Sequence, residues 1–263
     1  MASLDMTKWM SELPPELTAK PLVNLIIPGS HDSFTKTLDK DGPIANDRPD
    51  WFRFIQWLPG IKSIIYRWTL TQHLSTIEQL EQGVRYFDFR LSRPPHDLTA
   101  IKVLHGLYGS GIGLIFADIF VYLQQHPRES GYQVIAFYKE DEFVEEHCVL
   151  WPSAAIQSPW ADTDTPKKLI AYLQEQLMKR SLGDDITFFN TQGILTPQIS
   201  DAVFHFYSSL ETDLATPTTQ RLVYWLRDSL PLLKSRYNIV FCDFVEKYDF
   251  CRSVVQLNFN SKR

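Results

Sequence analysis

The sequence predicts an α/β fold with a parallel sheet and helices laid outside it. Two observations predict it. Short apolar runs alternate with amphipathic stretches along the chain, as βα units do. Four of those runs turn polar only at their C-terminal ends, where a parallel barrel assembles its active site from several strands.

The expected strands are Leu22–Ile27, Val84–Phe89, Ile101–Leu104, Gln133–Tyr138, Ile186–Phe189 and Ile239–Phe241. Between them lie helical patterns. In "STIEQLEQG", Ser75 and Glu78 have capping-box spacing and Gly83 stands where a helix stops. "IGLIFADIFVYLQQHP" is a helix ended by Pro127. "TPKKLIAYLQEQLMKR" has Thr165 as its cap, Pro166 in its first turn and basic residues in its last. "TTQRLVYWLRDSLPLL" is a further helix.

Composition excludes several classes. The 263 residues are 44% apolar and 22% charged, as in a soluble globular protein. A net charge of -5 argues against a nucleic-acid partner. Three cysteines, Cys148, Cys242 and Cys251, form no C-x-x-C pair, which argues for a reducing, cytoplasmic setting and against structural zinc. "MASLDMTKWM" has no apolar core, so no secretory signal is expected. Gly111 to Leu123 is too short to span a bilayer and carries Asp118, so no transmembrane segment is expected either.

The chemistry-bearing residues lie at strand ends. In "LIIPGSHDSF" an apolar run breaks at Pro28-Gly29, and His31 and Asp32 follow. Alternation puts Tyr86, Asp88 and Arg90 on one face of "VRYFDFR", Val103 and His105 on one face of "IKVLHG", and Phe241 and Asp243 on one face of "IVFCDF". A lone histidine after a strand is ordinarily a loop residue. The coincidence of four such ends is what suggests a shared mouth lined by His31, Asp88, Arg90, His105 and Asp243.

Three motifs in order, "PGSHDSF", "GVRYFDFR" and "LHG", resemble the X-domain signature of phosphatidylinositol-specific phospholipases C, and most closely the PI-PLC X domain-containing proteins. "WMSELPPEL", "YQVIAFYKED", "LWP" and "NIVFCDFV" fit the same family. The resemblance covers nearly the whole chain, so residues 1–263 are expected to form a single, distorted TIM-type (β/α) barrel. It implies cleavage of the glycerol–phosphate bond of inositol phospholipids, with His31 as base and His105 as acid near neutral pH. It implies that Asp243 orients His31 and that Asp32 orients His105. Arg90 stands where calcium-dependent relatives carry a metal-binding carboxylate, and a guanidinium neutralises phosphate oxygens without a metal. Asp88 is placed to hold that guanidinium. No metal or other cofactor is therefore expected.

The chain also departs from the family pattern. Glu129 runs through Ser130 and Gly131 into Tyr132, where the family continues with a strand, a helix and a connector. One strand–helix unit is missing there. The helix before the gap would still give Leu104 and Gln133 a right-handed crossover, in a smaller or an open barrel. This leaves open an alternative, a catalytically impaired lipid-binding or interaction protein. A metal-dependent glycerophosphodiesterase on the same barrel is a third reading, disfavoured by Arg90.

Weaker features complete the picture. Trp51 to Trp68 mixes aromatics with Arg53, Lys62 and Arg67; it is either a helix pair packed on the barrel or a segment that dips into a lipid surface. Lys139 is a candidate for contacting the inositol ring or phosphate. Asp162 and Asp164 lack calcium-loop spacing and suit helix capping. His126, His147 and His205 have no ligand-like spacing. The expected partner is an inositol phospholipid at a membrane surface, met by a monomer.

Overall fold

In a computed structural model of the chain, which describes residues 4–48, 54, 57–126, 137–138, 151–181, 187–198, 201 and 204–259, a parallel sheet curls into half a barrel. In chain order the strands are β1 (Ile27–Ser30), β2 (Tyr86–Phe87), β3 (Leu91–Ser92), β4 (Lys102–His105) and β5 (Leu107–Gly111). They continue with β6 (Phe137–Tyr138), β7 (Trp151–Pro152), β8 (Ile156–Gln157), β9 (Phe188–Gln192) and β10 (Ile239–Cys242). Among the described residues, the helices with defined bounds are α1 (Pro15–Thr18), α2 (Ile61–Thr69), α3 (Thr76–Glu81), α4 (Ile112–Gln125), α5 (Pro166–Lys179), α6 (Thr216–Leu233) and α7 (Phe250–Gln256).

The main sheet runs in the order β2-β1-β10-β9-β8 with every pairing parallel. Its central strands β1 and β10 are buried along their full length. Among the described residues β2 and β8 are open edges. No described helix is long and apolar enough to cross a membrane.

Several expected boundaries shift. Leu22–Asn24 is a 3₁₀ turn rather than a strand, and β1 runs through Pro28-Gly29 instead of breaking there. Gly29 is needed for space: a Cβ on it would lie 2.7 Å from the Tyr86 ring and 3.1 Å from Phe241. A proline–glycine pair that looks like a turn is here a tight crossing of strand and aromatic rings.

The larger correction concerns β4. Leu91 faces Val103 and Leu104 faces Tyr108 in antiparallel pairings, so β4 belongs to a separate three-stranded sheet, β3-β4-β5. Only Gly106, at φ +73°, separates β4 from β5. A parallel return needs a crossover of a dozen residues or more, so this reversal has to be antiparallel. The expected Leu104-to-Gln133 crossover therefore does not exist in that form, and Gln133 lies outside the described residues.

The helices follow their local signals more closely. Ser75 Oγ accepts the Glu78 N–H and the Glu78 carboxylate accepts the Ser75 N–H, completing the capping box. Gly83 follows at φ +101°. Helix α4 ends at Gln125, before Pro127, which lies outside the described residues. Thr165 holds the N-cap position of α5 but makes no side-chain cap, and neither Asp162 nor Asp164 caps it. The N-terminal segment closes the bottom of the half-barrel. Buried Trp9 donates Nε1–H to the Gly83 carbonyl at 2.9 Å, and buried Arg85 donates to the carbonyls of Leu80, Val84 and Thr7.

Candidate active site

Three strands of the main sheet end side by side. β10 leads to Asp243, β1 to His31 and Asp32, and β2 to Asp88 and Arg90. The β4–β5 reversal delivers His105 to the same place. Strand β4 was expected in the parallel sheet, yet its C-terminal histidine arrives where a barrel strand would have put it. Buried polar side chains hold the ends in place. The Asp88 N–H is donated to Ser33 Oγ at 2.8 Å and the Asp32 N–H to Asp88 Oδ2 at 3.2 Å. Asp32 itself takes a left-handed φ of 39°, which aspartate tolerates better than most side chains.

The six side chains singled out from the sequence meet. His31 Nδ1 lies 2.7 Å from Asp243 Oδ1, and its Nε2 lies 3.5 Å from Asp32 Oδ2 and 4.0 Å from Asp88 Oδ2. His105 Nε2 is 3.2 Å from the same Asp32 oxygen, while its Nδ1–H is donated to the Thr69 carbonyl at 2.6 Å. The two imidazole centroids are 6.4 Å apart. Arg90 Nε lies 3.1 Å from Asp32 Oδ1 and 3.3 Å from both oxygens of Asp88. Arg90 is more than half exposed above nearly buried Asp32, so its outer face is open to a ligand. Phe241 stacks under His31 with centroids 6.0 Å apart, and Tyr86 stacks on Phe241. These rings form the apolar floor of the site.

The charges interlock. Burial works to lower the basicity of His31, but Asp32, Asp243 and Asp88 outweigh it and raise its pKa to about 9. Burial works to raise the Asp32 carboxyl, but His105, His31 and Arg90 bring it below the ordinary carboxylate range. Asp88 is pushed up, first by burial and then by Asp32 beside it. Arg90 is held still more firmly as a cation by Asp88.

Could these groups hold a metal? His31, Asp32 and Asp88 offer ligand atoms that all lie within 4.8 Å of one another. The Arg90 guanidinium already sits against both carboxylates, and a cation there would meet its charge. The donor set is possible in geometry and opposed in electrostatics.

Some supporting residues carried no signal in the sequence. Gln72, fully buried, donates Nε2–H to the carbonyls of His31 and Cys242 at 3.0 Å each, tying β1 to β10 where the site begins. Thr71 donates to the carbonyls of His31 and Asp32. The Thr69 carbonyl works through the backbone, which no side-chain pattern reports. Lys139 and His147 lie outside the described residues. His126 bonds within its own helix and His205 pairs with Asp213, both away from the cluster.

No family model matches the chain. Curated relatives do. PI-PLC X domain-containing protein 2 of Mus musculus is 30% identical over 95% of this chain and 87% of its own length. PI-PLC X domain-containing protein 3 of Homo sapiens is 29% identical over 97% of this chain and 94% of its own. The mouse alignment spans 299 positions where the chain has only 263 residues, so at least 36 positions of the relative have no counterpart here. Among solved structures, phosphatidylinositol-specific phospholipase C of Staphylococcus aureus superposes with a TM-score of 0.67 at 17% identity, over 97% of this chain and 98% of that one. The enzyme of Listeria monocytogenes superposes at 0.62 and 14%, over 97% and 99%. These establish a common fold, that of the bacterial phospholipase barrels. Sequence identity sustained from end to end decides the rest: this chain belongs to the PI-PLC X domain-containing protein family.

Proposed function

We propose that the chain cleaves phosphatidylinositol to diacylglycerol and an inositol cyclic phosphate, with two histidines and an arginine and without a metal ion. The observation that carries this is one carboxylate shared three ways. Asp32 touches His105 with one oxygen, approaches His31 with it, and meets Arg90 with the other. A phosphodiester bound over Arg90 lies between the two imidazoles.

His31, neutral at Nε2 and donating Nδ1–H to Asp243, takes the proton of the inositol 2-hydroxyl as that oxygen attacks phosphorus. His105 gives a proton to the departing glycerol oxygen. Both of its ring nitrogens face acceptor oxygens, the Thr69 carbonyl and Asp32 Oδ2, which fix the ring in place. Arg90 neutralises the developing charge on the phosphoryl oxygens, and Asp88 and Asp32 hold it in line. Water can then open the cyclic phosphate with the histidines in exchanged roles.

The lipid would be met at a membrane surface. Helix α2 ends in Thr69, whose carbonyl holds His105, and begins beside exposed Trp57 and Phe54. Arg67 on that helix donates to the Ser208 carbonyl, fixing a second exposed aromatic pair, Phe206 and Tyr207. Residues 51–69 hold three cations and no acid, which suits anionic lipid. Free, buried Cys242 and Cys251 support a cytoplasmic setting.

The test is hydrolysis of phosphatidylinositol vesicles by the purified chain with EGTA and EDTA present, beside His31→Ala. Turnover that survives chelation and vanishes in the variant supports the reading. Turnover that chelation abolishes and a divalent ion restores would replace it with metal catalysis at His31, Asp32 and Asp88. A second reading is favoured by the 36 or more unmatched positions: a lipid-binding protein that keeps the cluster without turnover. Vesicle binding by a folded chain that releases no diacylglycerol would establish that one instead.

A further inference from the structure

We infer that helix α4 is the face through which this chain pairs with a second copy of itself. The inner side of α4 packs Ile115, Ile119 and Tyr122 into the core. Its outer side is apolar as well. Leu114 is 67% exposed, Phe116 46%, Phe120 61% and Val121 41%. At 100° per residue these four share one half of the helix with Gly113, Ala117, Gln124 and Gln125, and no charged residue falls on that half. The charge of α4, on half-buried Asp118, lies just outside that half. The patch extends past the N-terminus of α4 to exposed Ile101, whose carbonyl accepts the Ile112 N–H. Contiguous apolar surface of this kind marks an interface.

The sequence places the lost strand–helix unit straight after α4, at Glu129, and the mouse relative has at least 36 positions without a counterpart here. Of the residues that follow α4, 127–136 and 139–150 lie outside the described ones.

Charge and shape select the occupant. An anionic bilayer would be drawn to cations, which residues 51–69 carry and the α4 face does not. An uncharged face is complementary to its own two-fold image, since no like charges meet across the axis. Antiparallel pairing about an axis at Ala117 lays Phe120 and Val121 of one copy over Gly113 and Leu114 of the other. Nothing lies within 4 Å of where a Gly113 Cβ would be, so that space is free to receive a ring. One helix face and its margin fall at the low end of specific interfaces, so the dissociation constant should be on the order of 10 μM. On this proposal the monomer expected from the sequence is in equilibrium with a weak dimer.

Sedimentation equilibrium of the full chain, from about 1 to 200 μM to bracket that constant, tests the proposal. The wild type should move from monomer to dimer mass. Ala117→Glu and Ala117→Lys place like charges across the axis at an exposed position. Each should remain folded by circular dichroism and stay monomeric, and an equimolar mixture of the two should recover the dimer. If either unfolds, Phe120→Ser should still weaken the dimer at least tenfold. A wild type that stays monomeric throughout overturns the proposal. So do variants that dimerise like the wild type, a mixture that stays monomeric, or a face whose only measurable partner is a phosphatidylcholine vesicle.

Discussion

His31 is held among three carboxylates, and this sets how both stability and rate depend on pH. Its folded pKa of about 9 exceeds the ordinary 6.5, so the stability it contributes is complete below about 6.5 and is lost as pH rises through about 9. A gap of that size corresponds to roughly 3 kcal/mol at most. Urea unfolding at pH 7 and pH 10 should show the wild type losing more stability over that interval than His31→Gln; equal losses would contradict the carboxylate account. A base must also be neutral to act, so kcat/KM should climb on its acid side toward pH 9 rather than level near neutrality. Asp243→Asn removes a raising charge and should move that limb to lower pH while lowering the maximal rate. His31→Ala should cost about 10²–10⁴ in kcat, read as diacylglycerol release. Arg90→Lys keeps the charge but loses the planar fork that spans Asp32 and Asp88, and about 10²-fold in kcat/KM is expected to go with it. Retention of full activity in Arg90→Lys would mean that phosphate is held elsewhere.

At the scale of elements, local signals and packing divide the work unevenly. The α3 capping box depends on contacts three residues apart, and Ser75 and Glu78 identify it without a fold. Ser75→Ala should cost about 1 kcal/mol in chemical denaturation, with no effect on turnover. Gly29 is the opposite case. Its neighbours Tyr86 and Phe241 come from strands 57 and 212 residues away in number, and nothing beside it in the chain announces them. Gly29→Ala should cost roughly 1–3 kcal/mol by overpacking, and should also disturb the ring floor beneath His31. Strand β4 shows how a residue can reach the cluster from an element expected in a different sheet. Alternation marked His105 as the polar end of an apolar run, but period-2 alternation is the same in parallel and antiparallel strands. The direction of pairing was decided by the one-residue link at Gly106, which allows only an immediate reversal.

For the whole molecule, the half-barrel, whose edges β2 and β8 are open among the described residues, and its exposed aromatic rim are what matter. If the rim at Trp57 and Tyr207 meets lipid, Trp57→Ala with Tyr207→Ala should weaken binding to phosphatidylinositol vesicles about tenfold or more. Hydrolysis of a soluble inositol phosphodiester should be unchanged. Equal loss on both substrates would assign those rings to folding instead. The fold class, the alternation of its elements and the six residues of the cluster follow from the sequence by itself, because strand periodicity, capping spacing and motif order are local or sequential properties. Which strand pairs with which, and in what direction, was decided only by the tertiary structure. So were the sharing of Asp32 among His31, His105 and Arg90, the buried amide of Gln72 that ties β1 to β10, and the uncovered face of α4. Each of these depends on groups far apart in the chain meeting in one small volume, where burial and mutual charge act, and no one-dimensional pattern records that meeting.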